Sequence, residues 1–287
     1  MLDASTFKNQ DLIELSKKNF INLKIDGESD YGRPLFEKFH GTGYPLIIFL
    51  DSDGNELDRF YGYLPAYEFI IKINNVLDEK GTFTYYLDEY NKNNHSAEIL
   101  SSLADKYNDK GDVNKALTLY IELLRSSNIS KKDFNKAKYH VASLSIKNDE
   151  LKLMLEYLNN YKNSDYFEKA IYDLINYYKA NQMEEDEINI YTKYLDKLSD
   201  DYNFLNSYAW RMTELNKNLD NALIKINDAL NLIDNTIPQY PNILDTKAEV
   251  LWKLEKTEEA IQVIKEAINL DPTSEYYKSQ KEKFLNS

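Results

Sequence analysis

Apolar and small residues recur at fixed helical spacing between residues 243 and 272, and this recurrence limits the fold more than any other feature of the chain. Two amphipathic helices in succession account for it, because the apolar residues return every three or four positions. Small residues at facing positions let the two helices approach closely, and a proline ends the unit. The positions are Leu244, Ala248, Leu251, Ala260, Ile264, Ala267 and Pro272.

This pattern resembles the tetratricopeptide repeat, a pair of antiparallel helices that stacks on further pairs. A second stretch fills the same slots, and a third fills them with one extra residue in the turn. Between residues 139 and 198 the small residues fade while helical periodicity continues, which predicts two degenerate pairs. The resemblance implies an all-α, right-handed superhelix over residues 96–287, with about five helix pairs and a polar capping helix near residues 274–285. The second and third stretches are marked by Leu100, Leu103, Ala104, Tyr107, Gly111, Ala116 and Tyr120, and by Leu205, Ala209, Met212, Ala222 and Ala229.

Residues 1–80 carry a mixed pattern instead. The alternating run from Phe20 to Asp26 predicts a strand that ends at Gly27. The continuous apolar run LIIFL, the turn sequence DSDG and the run ELDRFYGY predict two further strands joined as a hairpin. Helical spacing around these runs, notably after Pro34 and Pro65, gives the order helix, strand, helix, strand, hairpin strand, helix.

This order, with Gly43, Tyr44 and Pro45 directly before a buried strand, resembles the C-terminal part of the thioredoxin fold. The resemblance implies a cis peptide bond between Tyr44 and Pro45 and a role for both residues in contacting an extended peptide. It also implies that residues 1–20 follow the position of the family's Cys-x-x-Cys motif, so the sheet lacks strands and keeps an unpaired edge. The expected fold class is a partial thioredoxin-like α/β domain over residues 1–80, a docking helix and loop over residues 81–95, and the tetratricopeptide superhelix over residues 96–287.

The chain contains no cysteine, so it has no thiolate for thiol-disulfide exchange or for metal binding. His40, His95 and His140 are scattered without a partner at ligand spacing, and no phosphate loop or catalytic triad is present. We therefore expect no catalytic residue, no metal and no cofactor. A net charge of −13, from 35 basic and 48 acidic residues, repels phosphate backbones and anionic lipids. Nucleic acid is excluded as a partner class, no membrane insertion is expected without a long apolar run, and basic or apolar peptides are favoured.

The first helix of each tetratricopeptide pair lines a concave groove in that family, and the resemblance implies which residues face a partner. The corresponding positions are rich in carboxylates and include both tryptophans of the chain, so a basic or apolar protein segment is the expected ligand. The alternative is that the acids form a solvated face and the tryptophans pack between helices. The groove positions are Glu98, Asp105, Asp109, Trp210, Glu214, Asp245, Glu249 and Trp252.

Two functions are compatible with these patterns. The first is a non-enzymatic scaffold, in which a cysteine-free thioredoxin-like remnant docks on repeats that bind a protein or peptide. The second is a thiol-disulfide oxidoreductase whose Cys-x-x-Cys motif lies upstream of Met1. The expected compartment also depends on what precedes Met1. It is cytoplasmic for the sequence as it stands and periplasmic if a signal peptide lies upstream. No oligomeric state follows from the sequence.

Overall fold

The computed structural model describes residues 2–286, and over this range the chain is mostly helical. It divides into two compact units, one through Asp173 and the other from Leu174. The helices of the first unit are α1 (Gln10–Asn19), α2 (Gly32–Lys38), α3 (Ala66–Leu77), α4 (Phe83–Asn91), α5 (Ala97–Asp109), α6 (Val113–Leu123), α7 (Lys131–Ile146) and α8 (Lys152–Asn160). Helix α9 (Phe167–Ala180) contains the division, and the second unit continues with α10 (Glu184–Tyr194), α11 (Tyr202–Leu215), α12 (Leu219–Asn231), α13 (Tyr240–Lys253), α14 (Thr257–Leu270) and α15 (Glu275–Leu285).

The predicted hairpin is confirmed by two antiparallel strands, β1 (Leu46–Leu50) and β2 (Glu56–Tyr61). Asp51 closes their turn, because its carboxylate accepts hydrogen bonds from the backbone N–H groups of Asp53 and Asn55 at 2.9 and 2.8 Å. The peptide bond that leads into β1, between Tyr44 and Pro45, is cis as predicted. The core of this part is formed by Leu12, Phe49, Phe60, Phe69, Ile73 and Val76, from α1, both strands and α3.

The predicted strand over residues 20–26 is wrong. This segment forms no regular structure and pairs with neither β1 nor β2. An alternating apolar run becomes a strand only where a neighbouring strand supplies hydrogen bonds to its backbone, and the sheet of the described residues consists of β1 and β2. The order in this region is therefore helix, unpaired segment, helix, hairpin, helix.

The hairpin packs on the following helices through a buried carboxylate. Asp58 of β2 accepts a hydrogen bond from the backbone N–H of Phe83 at 3.2 Å and forms an ion pair with Lys106 of α5. The Phe83 ring lies in a core shared by α4, α5 and α6. Helix α4 thus occupies the place of the expected docking helix, while the domain boundaries at residues 80 and 95 stay predictions.

Helix pairs lie where the repeat pattern predicted them. Ala104 and Ala116 of α5 and α6, and Ala248 and Ala260 of α13 and α14, are fully buried, so these pairs approach closely at the small residues. The extra residue between α11 and α12 is absorbed in a turn that contains Asn216 in the left-handed conformation, with φ of 53°.

The last helix, α15, starts at Glu275 after the N-cap Ser274, as expected, but it is less polar than predicted. Tyr277 and Phe284 bury their rings against α13 and α14. The spacing of seven residues places both rings on one side of the helix. The lysines between them made the segment look polar in the sequence, so this apolar side was not predicted. Among the described residues, no helix combines the length and apolarity needed to cross a membrane.

Candidate functional site

The predicted groove positions lie on the first helices of three pairs. Intervals of four and seven residues place the members on each helix along one side of it. In the first unit these positions are Glu98, Asp105 and Asp109 on α5; in the second they are Trp210 and Glu214 on α11, and Asp245, Glu249 and Trp252 on α13. The structure places each set on one helix face, and the two units are described in turn.

On α5 the middle carboxylate is already paired. The Tyr120 hydroxyl donates to Oδ1 of Asp105 at 2.6 Å, and Lys136 of α7 forms a short ion pair with Oδ2. Lys136 Nζ also donates to the hydroxyl of Ser101 at 3.0 Å. Glu98, in the first turn of the helix, is exposed and makes no ion pair with a described residue. Glu98 is therefore the carboxylate of α5 that is open to a ligand.

The end of α5 lies against the hairpin. The backbone carbonyl of Asp109 accepts hydrogen bonds from the Tyr61 hydroxyl at 3.2 Å and from Arg59 Nη1 at 3.4 Å. Burial, together with the negative charge of Asp105, raises the pKa of the Asp109 carboxyl. The hairpin thus reduces the acidity of this end of the predicted groove.

A ring cluster, which we call the His140 cluster, adjoins Asp105 in the first unit. His140 of α7 stacks on Tyr120, with ring centroids 4.6 Å apart, and Tyr139 and Tyr166 meet it edge-on at 5.0 and 5.8 Å. Burial lowers the pKa of His140 to about 4, and the charge of Lys136 acts in the same direction. His140 is consequently neutral at pH 7 and contributes a flat, weakly polar ring surface.

In the second unit, α11 presents an indole beside an ion-pair network. Trp210 is half-buried, and its Nε1–H donates to Glu214 Oε1 at 3.2 Å. Glu214 also accepts hydrogen bonds from Arg211 Nη1 at 2.9 Å and Lys179 Nζ at 3.3 Å. Arg211 is held in place by a bidentate pair with the fully buried Glu187, at 2.7 and 2.9 Å. The carboxylate beside Trp210 is therefore shared with two cations of the chain.

On α13 both carboxylates are covered by α15. Asp245 and Glu249 are each 5% exposed. The Tyr276 hydroxyl donates to Asp245 Oδ2 at 3.1 Å, and Lys283 Nζ donates to both oxygens of Glu249 at 2.7 Å. Asp245 Oδ1 is buried without a hydrogen-bond partner among the described residues, and burial raises the pKa of this carboxyl to about 6. Glu249 therefore holds α15 through its ion pair with Lys283, and neither acid forms part of an open acidic surface.

The second predicted anchor, Trp252, is half-buried between α13 and α15. Its ring lies 5.7 Å from that of Phe284, and the ammonium groups of Lys283 and Lys253 lie 4.3 and 4.9 Å from its centroid. Part of this indole packs between helices, in line with the alternative that the sequence left open.

The residues Tyr44 and Pro45 lie at the entry to β1. The Tyr44 ring is more than half exposed and stacks on Phe36 of α2, with centroids 4.5 Å apart. The Pro45 carbonyl accepts a hydrogen bond from the backbone N–H of Gly62 at 2.9 Å, which closes the open end of the hairpin. Their predicted contact with an extended peptide stays a prediction.

Sequence reasoning missed the cations that pair with the predicted acids. Lys136 and Lys283 each sit on the helix that follows the acid-bearing pair, and each lies among apolar or aromatic residues. For Lys136 the available signal was a lysine on a largely buried helix face, since a buried ammonium requires a partner, whereas the more exposed Lys283 carried no such signal. The spacing of the repeat predicted that Tyr120 is buried, but not that its hydroxyl donates a hydrogen bond. Tyr276, the other hydroxyl donor, carried no signal that separates it from the chain's other tyrosines.

Comparison with known proteins gives one match to a family model. Residues 241–274 match the tetratricopeptide repeat, and this range covers α13 and α14 with the following turn. The pair α13–α14 is thus a tetratricopeptide repeat, a unit whose stacks form the extended binding surfaces of repeat proteins. No curated protein matches the chain.

Several solved structures are similar to the chain at low identity. YrrB, described as a tetratricopeptide protein with an unusual peptide-binding site, is 13% identical, with a TM-score of 0.48 over 69% of this chain and 97% of that chain. A tetratricopeptide repeat protein from Parabacteroides merdae is 16% identical, with a TM-score of 0.40 over 77% and 85%. Yeast Tom70 is 18% identical, with a TM-score of 0.37 over 95% and 70%.

Proposed function

We propose that this protein is a non-enzymatic interaction scaffold whose helical repeats bind a protein or peptide. The observation that carries the proposal is the tetratricopeptide pair α13–α14, because stacked pairs of this kind serve recognition and carry no chemistry of their own. The absence of cysteine removes the thiol chemistry that the N-terminal region would otherwise suggest. Binding is then the function left to the helical surface.

The proposed ligand is a basic or apolar segment. Glu98 is exposed, and Trp210 presents part of its indole beside Glu214. The exposed part of the Trp210 ring can contact an apolar side chain or the aliphatic stem of a lysine or arginine, whereas Glu214 is already paired with Arg211 and Lys179. Asp245 and Glu249 drop out of the contact surface in this proposal, since α15 covers them.

The two tryptophans allow a direct test. Both lie at predicted groove positions, and the chain has no other tryptophan, so intrinsic fluorescence reports on ligand contact there. We expect a synthetic array of basic and apolar peptides to yield binders that shift the emission, whereas acidic peptides of matched length do not. Trp210→Phe should remove most of the shift and Trp252→Phe less, because Trp252 is partly covered. An array in which acidic peptides bind best, or in which no peptide binds, contradicts the proposal.

A matched pair of charge changes tests the acidic part of the site. Glu98→Lys should weaken a basic peptide that binds the first unit, while Glu258→Lys, an exposed change on the second helix of the last pair, should leave its affinity unchanged. The double variant Trp210→Ala with Trp252→Ala should weaken binding while retaining helicity in circular dichroism. Loss of helicity would instead support a packing role for the tryptophans.

For the N-terminal part we propose a thioredoxin-like remnant that docks on the helices. The hairpin supports this reading, and the Asp58 contacts to Phe83 and Lys106 provide the docking. The second candidate is an oxidoreductase whose cysteines lie on a preceding segment. Reduction of insulin disulfides by this chain should be undetectable under both, and a Cys-x-x-Cys motif in the upstream coding frame would favour the second.

A further inference from the structure

The segment between α1 and α2 exposes apolar side chains on an unpaired backbone. We call residues 20–26 the arm. Ile21, Leu23 and Ile25 are 92%, 80% and 44% exposed. The arm contains no turn, no bend and no residue with positive φ, and the backbone of residues 21–25 makes no hydrogen bond to a described residue. Exposed edges of this kind are templates for pairing with another strand.

The polar side of the arm is attached to its own chain. The Ser16 hydroxyl donates to Asn22 Oδ1 at 2.6 Å, and Lys24 Nζ forms an ion pair with Asp3 at 2.7 Å. Alternate residues of an extended chain lie on opposite sides. Asn22 and Lys24 therefore lie on the side of the arm that contacts its own chain, although the Lys24–Asp3 pair is itself exposed, and Ile21, Leu23 and Ile25 lie on the opposite side.

We propose that the arm pairs antiparallel with the arm of a second copy of this chain, about a two-fold axis at Leu23. The sequence INLKI is self-complementary in this register: Ile21 lies opposite the second copy's Ile25, and Leu23 lies opposite its counterpart. Cross-strand apolar pairs of this kind stabilise antiparallel sheets. An isologous contact also closes, because each copy offers the same surface.

The charged residues on either side of the arm favour a second copy of this chain as its partner. The proposed register brings the last turn of α1, which carries Lys18, towards the turn after the arm, which carries Glu28, once at each end of the pair. Both side chains are exposed, and neither makes an ion pair with a described residue. Two copies with a net charge of −13 repel at long range, but screening confines this repulsion to about 8 Å at physiological ionic strength. The local Lys18–Glu28 pairs then favour the antiparallel register. This proposal does not depend on the scaffold function.

Sedimentation equilibrium of the full chain is the first test. We expect the mass to rise with concentration from 33.7 kDa towards twice that value. Leu23→Asp should raise the dimer dissociation constant at least about tenfold. Ile71→Asp, which adds the same charge at an exposed isoleucine of α3, should leave it unchanged. A monomer at all concentrations, or a dimer equally sensitive to both changes, overturns the proposal.

The cysteine-free background allows a test of register. Leu23→Cys lies opposite itself in the proposed pair and should form a disulfide-linked dimer under mild oxidation at least about tenfold faster than Ile71→Cys. Ile21→Cys alone should cross-link slowly, but it should cross-link rapidly when mixed with Ile25→Cys. Rapid cross-linking of Leu23→Cys with Ile48→Cys of β1, and not with itself, would show strand exchange with β1 and would overturn the arm-to-arm register.

A charge swap tests the end contacts at constant salt. Lys18→Glu and Glu28→Lys should each weaken the dimer several-fold, because each places like charges together at both ends. The double variant restores opposite charges and should recover the original dissociation constant. Failure of the double variant to recover, with folding intact by circular dichroism, would contradict the register.

Discussion

Each unit places a carboxylate in the second half of a first helix and pairs it with a lysine from a later helix, but the acid is the more exposed partner in one pair and the lysine in the other. In the first unit the side chain of Asp105 is 39% exposed and that of Lys136 is 16% exposed. In the second unit Glu249 is 7% exposed and Lys283 is 39% exposed. The less exposed partner is the lysine in the first unit and the acid in the second unit. Removing a partner is most damaging where it leaves a buried charge alone, so equivalent contacts differ in their importance.

The two units also bury titratable groups of opposite type. The first holds His140, whose pKa is lowered by burial, and the second holds Asp245, whose pKa is raised by burial. Each group prefers to be neutral in the folded state, but one becomes neutral by losing a proton and the other by keeping one. The stability of the two units should therefore respond to pH in opposite directions between pH 4 and 6.

The largest effect is expected from Lys283→Met. The change retains most of the aliphatic packing but leaves the buried Glu249 without its cation, and we expect the second unit to lose about 3 kcal/mol of unfolding free energy. Urea unfolding followed by tryptophan fluorescence measures this unit alone, because both tryptophans lie in it. Lys278→Met, on the exposed side of the same helix, should change stability by less than about 0.5 kcal/mol. Equal effects of the two changes would mean that the Glu249–Lys283 pair is not needed.

A stabilising change is expected at Asp245. Burial raises the pKa of this carboxyl from 3.8 to about 6, so the folded state keeps a proton that the unfolded state has released between these values. Stability then falls as the pH rises through this window, and the penalty is complete above pH 6. Asp245→Asn should stabilise the second unit by about 2 kcal/mol at pH 7 and by little at pH 4. Asp220→Asn, at an exposed carboxyl of α12, controls for the charge, and a gain independent of pH would contradict the assignment.

The kind of contact decides how much of the structure the sequence could predict. Contacts within a helix pair depend on residues a fixed number of positions apart, so the burial of Ala248 and Ala260 followed from spacing alone. The cis bond before Pro45 was predicted from the resemblance to the thioredoxin fold and not from spacing. Contacts between separate elements follow no such spacing.

Two differences between the sequence pattern and the structure have this common origin. The arm has the alternation of a strand but lacks a neighbour to pair with, and no local pattern reveals a missing neighbour. Glu249 has the position of a groove residue, yet its exposure is decided by α15, more than twenty residues further along the chain. Contact between the remaining groove residues and a ligand depends on the ligand as well as on this chain. That contact therefore stays a proposal.

A smaller effect of opposite sign is expected from His140 in the first unit. Burial lowers the pKa of this imidazole from 6.5 to about 4, so between these values the unfolded state binds a proton that the folded state does not. Stability is therefore lost as the pH falls through this window, by about 1 to 2 kcal/mol for a partly buried ring. His140→Phe retains the stacking and should reduce this loss. Hydrogen exchange of α7 at pH 7 and pH 4.5, corrected for intrinsic rates, measures it, and an unchanged pH dependence would rule out His140 as the source.

The smallest effect is expected from Lys136→Met, and it completes the comparison of the two ion pairs. Asp105 keeps its hydrogen bond from Tyr120 and regains contact with water, because its side chain is partly exposed. The first unit should therefore lose about 1 kcal/mol or less, against about 3 kcal/mol for Lys283→Met. Hydrogen exchange of α5 and α7 provides the measurement, with Lys132→Met, at an exposed position of α7, as control. If Lys136→Met proves as damaging as Lys283→Met, burial of the acid is not what separates the two pairs, and the Tyr120 hydrogen bond does not compensate for the lost cation.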